Sequence, residues 1–192
     1  EYDMDVMPPE QFKEGPFIVV GFRNKINEAR EKGYSIPVAR TILITGLADD
    51  EIWVNMSRVC GVDSTKPESY TNGEITARTQ NDEIERYLRD FIPGFEHAWR
   101  DKVASFMGIR ESRVIKGKYV LTADDILSCR KFEDSIGVAS YPVDIHHSHG
   151  DDCTMMWCPD CYDLPYRMLV PENVENLLVA GRCASMTHEA MA

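Results

Sequence analysis

Apolar residues at Val19, Phe22, Ile26 and Ala29 recur at intervals of three, four and three, the period of one buried helix face. Gly33 stands where such a helix would stop. Residues 41–46 and 51–56 are rich in β-formers and flank the short Leu47-Ala48-Asp49-Asp50, which predicts a hairpin. Residues 62–73 are polar, contain Pro67 and Asn72-Gly73, and read as a loop. A long helix is expected over 74–91, with Ile84, Leu88 and Phe91 facing inward and Pro93-Gly94 ending it. Residues 103–120 suggest two strands around a turn at Lys116-Gly117. Thr122-Ala123-Asp124-Asp125 resembles a capping box that opens a short helix, with Asp in the place of the usual Glu. Residues 138–145 and 166–170 are further strand candidates. The last apolar run, Leu177-Leu178-Val179-Ala180, passes into Gly181 and then into small and hydroxyl residues, as a buried parallel strand does where it ends against a bound cofactor. The pattern predicts an α+β fold, a mixed β-sheet with flanking helices, after an irregular lead-in over 1–16.

Composition narrows the partners. The 192 residues suffice for one substantial domain, with 43% hydrophobic and 28% charged residues, ordinary for a globular chain. A net charge of -11 argues against nucleic acid, which calls for clustered Lys and Arg. No apolar run is long enough to span a membrane. Nothing near Glu1 has the charged-then-apolar order of a signal peptide, which leaves open whether a leader was removed or the segment excised. Six cysteines are too sparse for a disulfide scaffold, and a reducing, cytoplasmic setting is the default expectation.

His146, His147, His149, Cys153, Cys158 and Cys161 crowd one short stretch. The spacing of Cys153, Cys158 and Cys161 is C-x4-C-x2-C, which suits tetrahedral zinc and also opens a plant-type iron–sulfur pattern with Cys183 as a distant fourth ligand. Cys158-Pro159-Asp160-Cys161 also invites a thiol–disulfide role. Asp151, Asp152, Asp160 and Asp163 favour the plainer alternative, a polar solvent-facing loop with incidental cysteines. The redox role lacks a following helix because Leu164-Pro165 comes too soon, and the iron–sulfur role lacks a Gly-rich setting. If the cluster did bind zinc, the chain could instead be a non-enzymatic ligand- or metal-binding module.

Ile109-Arg110-Glu111-Ser112-Arg113 reads as a strand with Arg110 and Ser112 on one face and Glu111 and Arg113 on the other. From Gly108 to Arg113, then Gly117-Lys118-Tyr119-Val120-Leu121-Thr122 and Asp125-Ile126-Leu127, the chain resembles a bacterial family of FAD-dependent oxidoreductases. That family belongs to the flavoprotein superfamily built like glutathione reductase, and some of its relatives resemble heterodisulfide reductase. The same order continues through Tyr141-Pro142-Val143-Asp144-Ile145-His146, Leu164-Pro165-Tyr166-Arg167, Leu169-Val170-Pro171, residues 176–183 and Thr187-His188-Glu189-Ala190. Pro93-Gly94-Phe95-Glu96 is similar to the segment that precedes the Arg-rich strand.

The resemblance implies an oxidoreductase that passes a hydride or electrons between a small-molecule substrate and FAD. Such proteins grip the FAD pyrophosphate with a strand, a GxGxxG turn and a helix, and no GxGxxG occurs in these residues. The chain therefore looks like an inserted substrate-side domain over 1–172, followed by a strand and helix start over 173–192 that return to a Rossmann-like FAD domain. The missing FAD-binding half is then the chief partner, the isolated chain would be inactive and bind no cofactor alone, and exposed apolar surface would favour a homo-oligomer. Gly181, Arg182, Ser185, His188, Arg110 and Arg113 are expected near the cofactor, with Thr187 and Glu189 beside them. Tyr141, Asp144, Tyr166 and Arg167 are expected to line the substrate side, and His146 is the candidate proton carrier because imidazole titrates near neutrality.

Overall fold

The computed structural model describes residues 2, 3, 5, 15–147 and 153–192. Its elements are β1 (Tyr2–Asp3), β2 (Ile18–Gly21), α1 (Arg23–Glu31), β3 (Thr41–Thr45), β4 (Ile52–Val54), α2 (Pro67–Phe91), α3 (Ala123–Leu127), β5 (Ser135–Ala139), β6 (Val143–His146), β7 (Cys153–Met156), β8 (Tyr162–Pro165) and α4 (His188–Met191). The chain is α+β, and it divides into two compact units, residues 1–62 with 68–107 and residues 63–67 with 108–192.

The first unit is a sheet of order β1-β2-β3-β4 covered by helices. β1 runs parallel to β2, and β2, β3 and β4 are antiparallel, with Val19 opposite Leu43 and Ile44 opposite Trp53. The β3–β4 pair is the hairpin expected from the sequence. Val19 and Leu43 point into one core with Ile26 and Ala29 of α1 and Ile84, Tyr87, Leu88 and Phe91 of α2. The four α2 positions share one helix face, so burial of that stripe holds the helix on the sheet.

Two expectations are corrected here. Val19 belongs to a strand and not to the first helix, because Gly21 at φ 134° and Phe22 at φ 55° turn the chain sharply before Arg23. A φ of 134° is accessible to glycine alone at low cost. α2 begins at Pro67, inside the expected loop. Proline suits the first helical turn, whose N–H has no helical partner, and Glu68 complements the dipole there. Gly73 is then a helical packing site, since a Cβ would meet Val62 Cγ2 at 2.8 Å and Met107 Cε at 2.9 Å.

The second unit holds two small antiparallel pairs, β5 with β8 and β6 with β7. Its core is Leu121, Ile126, Val143, Tyr162, Met168 and Ala184. The capping box predicted at Thr122 forms: the Thr122 hydroxyl accepts from the Asp125 N–H, and the Asp125 carboxylate accepts from the Thr122 N–H at 3.0 Å. The expected strand over 138–145 is two strands, broken at Ser140-Tyr141-Pro142, where Pro142 has no N–H to donate. Residues 166–169 form a 3-10 turn and not a strand, anchored where Asp134 accepts from the Arg167 N–H at 3.1 Å.

The two strands expected over 103–120 do not form. Their backbone bonds elsewhere: the Ile115 N–H donates to Cys183 O at 3.0 Å, and the Lys118 N–H donates to Val170 O at 2.9 Å. Residues 176–180 are not a strand either. Val179 donates to Leu169 O at 2.9 Å, but Leu177 and Leu178 stand 45% and 55% exposed. A buried parallel strand needs paired neighbours and covered faces, and the described residues supply neither. The 173–192 segment nevertheless packs with residues 108–172, through buried Ala184 and the Ser185 N–H donating to Met168 O at 2.9 Å.

Gly117 is the tightest point of that packing. A Cβ there would lie 2.6 Å from Ser185 Cβ and 3.1 Å from Tyr119 O. Gly117→Ala is expected to destabilise this unit by about 1–3 kcal/mol, because Ser185 Cβ and a backbone carbonyl cannot swing aside. A lowered thermal midpoint checks this, and an unchanged midpoint would show that the backbone yields freely.

Candidate functional site

The site is built on β6. Residues two apart on a strand share a face, so Asp144 and His146 stand side by side. Val143, on the opposite face, anchors the strand in the core at 1% exposure. His146 Nε2 lies 3.1 Å from Asp144 Oδ2. An ionised carboxylate only accepts, so the His146 Nε2–H is the donor in this pair. Arg110 Nη2 approaches the same carboxylate oxygen at 3.9 Å. Asp144 is 7% exposed, and its Oδ1 is buried with no hydrogen-bond donor among the described residues. An acceptor in that condition costs about 1–3 kcal/mol unless a donor reaches it.

α4 packs against β6 and brings His188, whose Nδ1 bonds Glu111 Oε2. Arg182 fixes the neighbouring backbone by donating to the Ile109 carbonyl. Arg110, Glu111, His146, His188, Met191 and Ala192 line a cleft of about 120 Å³. Four residues singled out from sequence thus converge (Arg110, Asp144, His146 and His188), with Arg182 supporting them. Glu111 was missed as a site residue. Its contact with His188 joins two distant stretches of chain, and no local spacing signals that.

The other candidates fall elsewhere. Arg113 is exposed and outside the cleft. Ser185 is buried, its hydroxyl accepting from the Gly117 N–H at 3.1 Å, so it locks the core and does not face the cleft. Gly181 has φ 69° and opens the turn Gly181–Cys183, with nothing within 4 Å of where a Cβ would be. Tyr141 is 59% exposed in the β5–β6 connection. Arg167 is held bidentately by Asp134, at 2.9 and 3.1 Å, and lies over the Tyr119 ring, which leaves it no part in the Asp144 cluster. Tyr166 lines a separate, open cavity of about 800 Å³, with Lys118, Glu172, Leu177 and Leu178 on its walls. α4 spans only His188–Met191, with the Thr187 hydroxyl accepting from the Ala190 N–H, so the expected dipole at a helix N-terminus has little helix behind it. The neighbouring Glu189 carboxyl is held below the usual range by its own backbone N–H and by the Thr187 hydroxyl.

The cysteines do not gather around an ion. Among the described residues no group of three or more His, Cys, Asp or Glu could hold a metal, and His149, Asp151 and Asp152 lie outside the described residues. Cys153 faces His146 across the β6–β7 pair, and Cys158 donates to Ser140 O at 3.4 Å. Cys161 lies beside Lys131. The Lys131 ammonium is held above its ordinary value, first by its bond to Asp163, and Asp163 is lowered by the Phe132 N–H ahead of that same lysine.

The Arg110 guanidinium lines the cleft wall, and its N–H donors suit the electron-rich carbonyls at one edge of a flavin ring. The cleft is too small for the whole ring system, since small-molecule pockets measure about 300–1,000 Å³. Neither cavity carries a Gly-rich turn for a pyrophosphate. No helix among the described residues is long and apolar enough to cross a membrane. A family model described as FAD dependent oxidoreductase matches residues 2–192. No curated protein and no solved structure matches the chain.

Proposed function

Because the chain belongs to the FAD dependent oxidoreductase family, we propose that residues 108–192 form the wall of a flavin site that faces the substrate. FAD supplies the redox chemistry, by accepting a hydride or electrons from a small molecule or returning them. The ADP half is gripped by a dinucleotide-binding segment outside these residues. The observation that carries this reading is the Arg110–Asp144–His146 cluster, whose Arg110 and His146 line the cleft together with His188.

In that site Asp144 orients His146 and keeps its proton on Nε2, so that Nδ1 takes a proton from the substrate. Arg110 offsets negative charge that builds on the reduced ring or on an anionic substrate group. Glu111 plays for His188 the orienting part that Asp144 plays for His146. Exclusion of water falls to Met191 and the end of α4, which close one side of the cleft. A cytoplasmic, reducing setting belongs to the same proposal.

The test is reconstitution with FAD. The 192-residue chain is expected to stay colourless, whereas a polypeptide that also carries the strand–GxGxxG–helix segment should purify yellow. In the yellow protein, His146→Gln should slow substrate-linked flavin reduction by about 10–100-fold with flavin content unchanged. A longer protein that binds no flavin would end the proposal, and an unaltered His146→Gln rate would remove the proton-carrier role.

A further inference from the structure

Outside the cleft, the Cys161 thiol meets a cation and the Cys129 thiol rests against the peptide before it. Cys129 has φ 54°, a left-handed conformation that a residue with a Cβ rarely adopts. That conformation holds its sulfur against the Asp160 peptide: the Asp160 N–H donates to Sγ at 3.2 Å, and Sγ donates to Asp160 O at 3.3 Å. Cys161 is the next residue, so peptide geometry puts its Cα within about 6 Å of the Cys129 sulfur. The two stretches also run side by side, with the Asp163 N–H donating to Arg130 O at 3.0 Å. On the Cys161 side, Lys131 Nζ lies 3.8 Å from Sγ and 2.9 Å from the Cys161 carbonyl. Cys158 turns away, its sulfur donating to Ser140 O at 3.4 Å and lying 3.8 Å from Tyr141 O. The Cys158 sulfur is thus engaged at Ser140, and the Cys129 sulfur lies against the peptide that leads into Cys161.

We propose that Cys161 and Cys129 are a redox-active thiol pair that exchanges with low-molecular-weight disulfides, with Cys161 as attacking sulfur and Cys129 as resolving sulfur. The Cys161 thiolate attacks one sulfur of RS–SR, forms Cys161–S–SR and expels RS⁻. The Cys129 thiolate then attacks Cys161 Sγ, forms the Cys129–Cys161 disulfide and expels the second RS⁻. The two protons of the protein thiols end on the two RSH products, and two electrons pass from protein to small molecule. The Lys131 ammonium lies where the attacking sulfur carries its negative charge. Bond formation needs side-chain rotation and a small shift of the exposed turn around Asp160, and strain at Cys129 is what an active position stores. The site does not depend on the flavin proposal.

The test is reaction of the 192-residue chain with oxidised glutathione, followed by peptide mapping under non-reducing conditions. The wild-type chain should give a Cys129–Cys161 link and little stable glutathione adduct. Cys129→Gly, a substitution that suits φ 54°, should stop at a glutathione adduct on Cys161. Lys131→Met should slow that adduct several-fold, with circular dichroism unchanged. A Cys158–Cys161 link in the wild-type map, no intramolecular link at all, or no effect of Lys131→Met on the rate would each overturn the assignment.

Discussion

Tyr87→Ala is expected to destabilise the sheet-and-helix unit by about 4 kcal/mol, at the upper range for a large buried side chain. Tyr87 has no exposed surface, stacks on Phe91 at 5.7 Å and shares a 2.7 Å hydrogen bond with Thr41, itself fully buried. Truncation leaves a cavity where α2 meets the sheet and leaves the Thr41 hydroxyl without a partner. Tyr87→Phe keeps the ring and should cost about 1 kcal/mol, for the lost hydrogen bond alone. Hydrogen exchange at peptides from β2, β3 and α2 measures both. A loss for Tyr87→Ala no larger than that for Tyr87→Phe would show that the site collapses onto the gap.

The same residue carries an alkaline dependence. Burial pushes the Tyr87 phenol from 10.0 up to about 12, against the opposing effect of the Thr41 hydrogen bond. A folded value above the unfolded one favours the fold fully below pH 10.0, and the contribution disappears as pH rises through about 12. Tyr87→Phe should lack that alkaline step.

Asp125→Ala should cost the other unit about 3 kcal/mol, by removing a buried carboxylate that several groups depend on. Asp125 is 4% exposed and accepts from the Thr122 N–H at 3.0 Å, the Thr122 hydroxyl at 2.9 Å, the Tyr119 hydroxyl at 2.9 Å and Arg130 Nη1 at 2.8 Å. Without it, α3 loses the reciprocal half of its capping box, and the Tyr119 and Thr122 donors lose their acceptor. Asp125→Glu should be no full rescue, since one more methylene overfills the cap. Thermal and urea midpoints, with exchange at peptides from 119–127, decide the matter, and a cost below about 1 kcal/mol would mean that water replaces the carboxylate. Burial of Asp125 opposes ionisation, but Arg130, the Thr122 N–H and the Tyr119 hydroxyl outweigh it, and the carboxyl titrates below 3.8. The stabilisation is therefore complete above 3.8 and is lost as pH falls through the lower folded value.

The features legible in the sequence were those whose cause is local. The α2 stripe at Ile84, Leu88 and Phe91, the stop at Pro93-Gly94, the β3–β4 hairpin and the Thr122–Asp125 cap all follow from periodicity or from groups three residues apart. The reading failed where a propensity met a distant partner. Residues 109–118 have the composition of strands, but their N–H groups find carbonyls at Val170 and Cys183. Asn72-Gly73 has the composition of a turn, yet it is helical because Val62 and Met107 close over Gly73. Leu177-Leu178 has the composition of a buried strand, but among the described residues no strand pairs with it and it remains exposed. The site divides in the same way: Asp144 and His146 are two apart on one strand, so their pairing was readable, whereas Arg110, Glu111 and His188 reach it only through folding.

By itself, then, the sequence determined the α+β class, the long helix, the cap, and the ordered motifs that the family match bears out. Tertiary structure alone decided which charged groups meet at Asp144, that Ser185 and Arg167 are held away from the cleft, and that the Cys129 sulfur rests against the Asp160 peptide. The physical reason is range. Helix periods, caps and tight turns are set by groups within a few bonds of one another. A buried carboxylate or a thiol acquires its partners only when the chain spends conformational entropy to bring remote segments together, and burial of remote apolar residues is what repays that cost.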